Sequence, residues 1–245
     1  PSTLSLFTLP PETNLKKVQG KWALVTGASC GVGQQVAQAL ADEGCKLILH
    51  SRALGHTEKL AQTLRAQGVT VHTLAAELSD SAAVLRLAEE ARALCGTLDI
   101  LYNNAAIMTP YHQDYLTVVP AEYALSFQVN TVAPILLANA FLPGMLAQGW
   151  GRIVNVTSGI RNEPELMAYA ASKAALDKYV FDMAPRLAGP GVTMNLMDPG
   201  WLRTDLGGPK APNAVECVLP GALVPVLAED GVSGQFLHAQ DYAIA

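Results

Sequence analysis

Seven short apolar runs, at 22–26, 46–50, 69–74, 98–102, 152–157, 192–197 and 235–238, punctuate the chain. Between the first six lie stretches whose apolar residues recur at helical spacing, as Val36, Ala37 and Leu40 do, or Leu60 and Leu64. Near-continuous apolar strands alternating with helices dictate a parallel sheet covered on both faces. The expected fold is therefore α/β: one doubly wound domain over residues 1–245, with a seven-stranded, mostly parallel sheet and helices on both faces. In such a sheet ligands bind beyond the carboxyl ends of the strands, where the strand order reverses. Chemistry should therefore sit in the residues that directly follow strands.

Composition supports a large core. Half of the 245 residues are hydrophobic and 15% are charged, against roughly a quarter charged in ordinary domains. With 16 Lys and Arg against 21 Asp and Glu, no nucleic-acid partner is expected, because there is no surplus of cations to displace counterions. No Asp, Glu, Lys or Arg occurs from Tyr123 to Gly151. Length alone would allow a membrane span, but Asn130, Asn139, Pro134 and Pro143 point to a buried or subunit-facing helix, and no membrane is expected. The first twenty residues lack a basic start and apolar core, so they do not read as a signal peptide; residues 1–19 read as an arm. Residues 206–230, rich in Gly and Pro, read as a mobile substrate-side loop followed by a short helix. Cys30, Cys45, Cys95 and Cys217 form no paired spacing, which suits reduced thiols and a cytoplasmic protein. The five histidines show no ligand spacing, and no metal is expected.

Three constellations follow strands. Thr26-Gly27-Ala28-Ser29-Cys30-Gly31-Val32-Gly33 lies between the first strand and a helix. Glycines there allow a tight turn and let backbone approach a pyrophosphate, whose charge the helix N-terminus meets. At the end of the second strand, Ser51 stands where a carboxylate would grip the ribose of NAD, and Arg52 follows. A hydroxyl and a guanidinium suit a 2′-phosphate, so NADP(H) is expected in preference to NAD(H), which is kept as possible. Cys30 fits less well, since a basic residue there would add a phosphate contact. Third, Tyr169 and Lys173 share a helix face four residues apart, after Ser158 at the end of the fifth strand. An ammonium at ~4–6 Å favours the phenolate by roughly 3–4 kcal/mol at an effective dielectric near 20. Tyr169 is expected to become a usable proton donor or acceptor, with Ser158 holding the substrate oxygen.

These residues, with Asp99-Ile100-Leu101-Tyr102-Asn103-Asn104-Ala105, Asn130 and Asp198-Pro199-Gly200-Trp201-Leu202-Arg203-Thr204, resemble the short-chain dehydrogenase/reductase superfamily over nearly the whole chain from about residue 15. The resemblance implies a Rossmann fold and oxidoreductase chemistry on a carbonyl or alcohol. It implies Tyr169 as acid/base, Ser158 orienting the substrate, and Lys173 binding the nicotinamide ribose and lowering the tyrosine pKa. Asn130 would hold a proton-relay water. Pro199, Gly200, Leu202 and Thr204 would meet the nicotinamide end, Asn104 and Ala105 would flank the adenosine ribose, and Ala106 beside them would also line the cofactor. Gly207–Pro212 is similar to a stretch in carbonyl-reductase-like branches.

Some positions depart from the family pattern. Ala106 replaces the usual glycine. Glu77-Leu78 stands where an aspartate commonly meets adenine, so Glu77 or the backbone of Leu78 is the expected contact. The interval from Ser158 to Tyr169 is short, which leaves the pocket shape open. No long insertion of the kind found in monomeric carbonyl reductases precedes Tyr169, so a homodimer or homotetramer is expected. Ile107, Met108, Ile160, Arg161, Met167, Trp201 and Leu206 are the substrate-facing candidates. Being mostly apolar, they suggest a small hydrophobic ketone or aldehyde. The competing readings are an NAD(H)-dependent alcohol dehydrogenase, a non-catalytic cofactor-binding sensor, and a methyltransferase, in which a Tyr–Lys pair has no role.

Overall fold

The computed structural model describes residues 17–187, 189 and 191–242. The expected arm at residues 1–19 falls almost wholly outside them.

Among the described residues the strands are β1 (Trp22–Thr26), β2 (Lys46–Ser51), β3 (Val71–Ala75), β4 (Ile100–Asn103), β5 (Gly151–Val156), β6 (Val192–Asp198) and β7 (Phe236–His238). They form one sheet in the order β3-β2-β1-β4-β5-β6-β7, and every pairing is parallel. The sheet expected to be mostly parallel is thus wholly so. Order reverses between β1 and β4, so their carboxyl ends frame the crevice. Strand boundaries differ from expectation by up to two residues. β4 starts late because Asp99 spends its carboxylate on Lys21 Nζ and the Trp22 N–H, both at 2.9 Å.

Both faces of the sheet are packed. Val36 and Leu40 of α1 (Gly31–Asp42) and Leu64 of α2 (Gly55–Ala66) join Val25, Leu47 and Leu49 on one face. On the other, α3 (Ser81–Cys95), α5 (Ala133–Gln148) and α6 (Met167–Leu187) bury Leu87, Leu137 and Val180 against Leu24, Ile48 and Ile153. Full burial of one such side chain is worth roughly 1.5–3 kcal/mol, so strands apolar on both faces are what this sheet requires.

Most of the uncharged run lies in one helical stretch from Pro120 to Gln148, long and apolar enough to cross a membrane, with over half of its apolar window buried within the fold. It comprises α4 (Pro120–Phe127), a π-helical turn (Gln128–Val132) and α5, which ends at Gly149 in the left-handed region (φ 72°). α5 packs beside α3 and carries no charged residue, even where Asn139, Pro143 and Leu146 are exposed. Residues 206–230 hold two 3-10 turns and the short α7 (Val224–Leu227). The loop start, expected to be mobile, is tied down at several points. Trp201 Nε1 donates to Gly207 O at 2.8 Å, Gly207 N to Thr204 Oγ1 at 3.0 Å, and Arg203 Nη1 to the carbonyls of Ala211 and Pro212.

Candidate active site

The glycine loop joins β1 to α1. Gly27 and Gly31 have φ of +65° and +57°, which favour glycine. Gly33 is required by contact instead: a Cβ there would stand 2.2 Å from Gly27 O and 2.4 Å from Asn104 Nδ2. Cys30 occupies the N-cap of α1 without a side-chain cap, and the first turn carries no acid. The leading N–H groups of the helix are therefore left to a ligand. This cradle fits the pyrophosphate of a dinucleotide, with Gly27, Ser29, Cys30, Gly31, Val32 and Gly33 as its floor.

Asn104 turns out to be a brace. Its Nδ2 donates to Thr26 O at 2.9 Å and Gly27 O at 3.1 Å, while Thr26 Oγ1 accepts from the Asn104 and Ala105 N–H groups, both at 3.0 Å. Its Nδ2 therefore holds the end of β4 against the loop. Ala106 sits half-buried just beyond. Ser51 is buried and donates to Ala53 O at 2.8 Å, whereas Arg52 is exposed. Of the two, the guanidinium is the group at liberty to meet a 2′-phosphate. Glu77 Oε1 accepts from Ser79 N at 3.2 Å, and the Leu78 side chain is buried in the core, so only its backbone faces outward chemistry.

Asn130 is fully buried in the π-turn. Its Oδ1 accepts from Ile107 N, and its Nδ2 donates to Ile107 O, both at 2.9 Å, and to Ser172 Oγ at 3.0 Å. Its amide positions the Ile107 segment against α6.

Tyr169, Lys173 and Ser158 do converge. α6 buries Tyr169 and Lys173 on one face, and Ser158, two residues beyond the end of β5, lies beside the phenol. Lys173 Nζ donates to Val156 O at 2.8 Å and lies over the Tyr169 ring, 5.9 Å from its centre. The expected lowering of the tyrosine by the ammonium is absent here. Burial pushes the Tyr169 phenol up to about 12, and Asp198 and Asp177 add to the rise against the opposing Ser158 hydrogen bond. Burial likewise drives Lys173 down to about 8, against the pull of Asp177. Desolvation thus outweighs the ammonium–phenol attraction anticipated from spacing. At neutral pH Tyr169 carries its proton.

Sequence reasoning missed Asp177, Asp198 and Thr157. Asp177 lies four residues beyond Lys173 on the same helix face, a legible signal, and accepts from Thr157 Oγ1. Asp198 comes close only through the sheet.

Thr204, expected at the nicotinamide end, has its hydroxyl bonded to Gly207 N. Its Cγ2 lies 3.3 Å from where a Cβ on Gly31 would stand, and an open recess of about 350 Å³ runs between Arg203, Thr204, Asp205, Gly208 and Pro209. Pro199 and Gly200 are half-buried and Leu202 is buried beside it. Of the substrate candidates, Arg161, Met167, Trp201 and Leu206 are exposed, while Ile107, Met108 and Ile160 are half-buried. Among the described residues no cluster of His, Cys, Asp or Glu could hold a metal.

Comparison with known proteins agrees with this geometry. The family described as short chain dehydrogenase matches residues 21–214. A short chain dehydrogenase of Pseudocercospora fijiensis is 32% identical over 204 residues, covering 81% of this chain and 65% of that relative. The chain spans 48% of three other curated relatives, each 36% identical to it. Among solved structures, a metagenomic short-chain oxidoreductase in complex with NADP superposes with a TM-score of 0.77 at 30% identity, covering 91% of this chain and 98% of that one. A blue fluorescent protein from a metagenomic library, in complex with NADPH, gives 0.80 at 27% identity, covering 91% and 97%. By sequence, sheet order and the convergence of Ser158, Tyr169 and Lys173, the chain belongs to the short-chain dehydrogenase/reductase family of oxidoreductases.

Proposed function

We propose that this protein is an NADPH-dependent reductase of a hydrophobic ketone or aldehyde, running reversibly as an alcohol dehydrogenase. The observation that carries the reading is a buried tyrosine beside Ser158, held protonated at neutral pH by its surroundings. When bound, the nicotinamide supplies the hydride. Ser158 Oγ donates to the carbonyl oxygen and orients it, and Tyr169 Oη delivers its proton as charge develops there. Lys173, fixed by Val156 O, has two N–H donors left for a ribose hydroxyl. Asn130 holds Ile107 and α6 in register.

NADP(H) is preferred over NAD(H) in this reading because Arg52 stands free at the end of β2, and because the two solved relatives above carry NADP or NADPH by description. Arg52→Ala should raise KM for NADPH about tenfold or more, the worth of a charge-assisted hydrogen bond, and leave KM for NADH unchanged. Steady-state kinetics with both cofactors checks this.

The decisive test of the function is initial rates with NADPH and NADH against a panel of ketones, aldehydes and β-keto esters. A strong NADH preference overturns the reading of Ser51 and Arg52. Tight NADPH binding without turnover of any carbonyl favours the sensor reading instead.

A homo-oligomer belongs to the same proposal. Leu125 and Leu146 on the long uncharged stretch and Phe181 on α6 remain 45%, 40% and 45% exposed, apolar area that a second copy would cover. Leu125→Glu should lower the molar mass measured by light scattering to that of a smaller assembly. An unchanged mass would move the interface elsewhere. Cytoplasmic residence is proposed with it, since all four cysteines carry free thiols.

A further inference from the structure

Ser158 lies where strand pairing has run out. Against β4 the register of β5 stops at Asn155, opposite Asn103, and against β6 it stops at Val156, opposite Met197. Thr157 N donates one further bond, to Met197 O at 2.9 Å. From there the chain leaves the sheet. Ser158 is half-buried, Gly159 is exposed, and Asn162 has a φ of 61°, uncommon for a residue with a side chain. Ser158 Oγ accepts from Ile160 N at 3.3 Å, a bond within the same loop that ties it to no other element.

α6 supplies what the strands do not. Lys173 Nζ donates to Val156 O at 2.8 Å, and Asp177, one turn later, accepts from Thr157 Oγ1. Side chains four apart on one helix face thus hold two consecutive residues at the strand end. Thr157 is 2% exposed, so its hydroxyl has little water to bond. A carboxylate only accepts, which fixes the direction of this bond, and its charge makes the bond stronger than a neutral one. Burial pushes the Asp177 carboxyl up from its ordinary range, a cost that the Thr157 bond partly offsets. The helix is itself a fixed reference: Thr131 Oγ1 donates to Ser172 O at 2.7 Å, and Asn130 Nδ2 donates to Ser172 Oγ at 3.0 Å.

We propose that Asp177 and Thr157 are positioning residues for Ser158: the bond between them seats the end of β5 on α6, the helix that carries Tyr169, and so sets the serine hydroxyl relative to the phenol. Lys173 holds the preceding residue only by its backbone carbonyl, whereas Thr157 is the last residue held before the serine. In this role neither Asp177 nor Thr157 meets the substrate, and their effect passes through Ser158. The inference rests on Ser158 orienting the substrate oxygen.

Thr157→Val keeps the shape of the side chain and removes the donor; Asp177→Ala removes the acceptor at a half-buried position. Each should lower kcat for carbonyl reduction about ten- to a hundredfold, the range that a misplacement near 1 Å costs. The double variant should lose no more than either single one. Affinity for NADPH, read by fluorescence titration, should stay at the parent value. Asp177→Asn and Thr157→Ser, which keep an acceptor and a donor, should each recover most of the corresponding loss. In a Ser158→Ala background Thr157→Val should cost little more, since the group it positions is gone. A parent-like kcat in the folded single variants, whatever happens to Tm, overturns the proposal. So does a failure of both conservative variants to rescue, or a full-sized Thr157→Val penalty in the Ser158→Ala background. If Thr157→Val does not fold, Asp177→Ala decides the matter alone, in the parent and in that background. Full turnover by Ser158→Ala would instead overturn the reading of the serine, which keeps the two failures apart.

Discussion

Tyr169→Phe should lose about 10²–10⁴-fold in kcat, the usual worth of a placed general acid, while binding NADPH as the parent does. The ring is 6% exposed and keeps its packing in phenylalanine, and one lost hydrogen bond to Ser158 costs about 1 kcal/mol of stability. The loss should therefore fall on turnover, leaving KM for cofactor and Tm nearly unchanged. The parent enzyme's pH dependence follows from the same burial. With the phenol pushed up to about 12, the protonated form dominates through the neutral range. Carbonyl reduction should hold level there, and alcohol oxidation, which needs the phenolate, should climb as the solution becomes alkaline. A variant that keeps near-full turnover with normal cofactor binding would end the proposed mechanism.

Gly33→Ala should be the most damaging single-methyl change in the cofactor cradle. The added carbon would stand 2.2 Å from Gly27 O and 2.4 Å from Asn104 Nδ2, and both neighbours are fixed. Gly27 is held in a left-handed turn, and the Asn104 amide is bonded to Thr26 O and Gly27 O. Relief requires α1 to move off the loop, at a cost of about 1–3 kcal/mol or more. Calorimetry should find Tm lower by several degrees, on the order of 2–4 °C per kcal/mol at this size. NADPH affinity should fall at least tenfold, because the displaced N–H groups are those proposed to meet the pyrophosphate. Gly55→Ala, where a Cβ meets nothing within 4 Å, should change neither quantity. Equal effects from the two would mean that the close approach at Gly33 has no consequence.

The sheet was legible because each strand carries its own signal. Parallel strands buried on both faces are short apolar runs, and the helices between them show a 3.6-residue period. The glycine loop, Ser158 and the Tyr169–Lys173 pair were legible because their partners are near in sequence or at strand ends. Asp99 shows where this fails: its carboxylate bonds to the Trp22 N–H, 77 residues away, and delays β4. No local signal shows that Asn104 and Asn130 also brace backbone across the crevice.

Local sequence by itself determined the parallel α/β architecture, the strand ends that bear the site and the residue types gathered there, since periodicity and strand-to-helix turns are properties of neighbouring residues. Only the tertiary structure decided the proton affinity of Tyr169. Spacing along α6 put an ammonium near the phenol and suggested a lowered pKa; folding removed water from both and brought Asp198 in through the β5–β6 pairing. Desolvation and the fields of distant charges depend on what surrounds a group in space, and residues four apart on a helix carry no record of that.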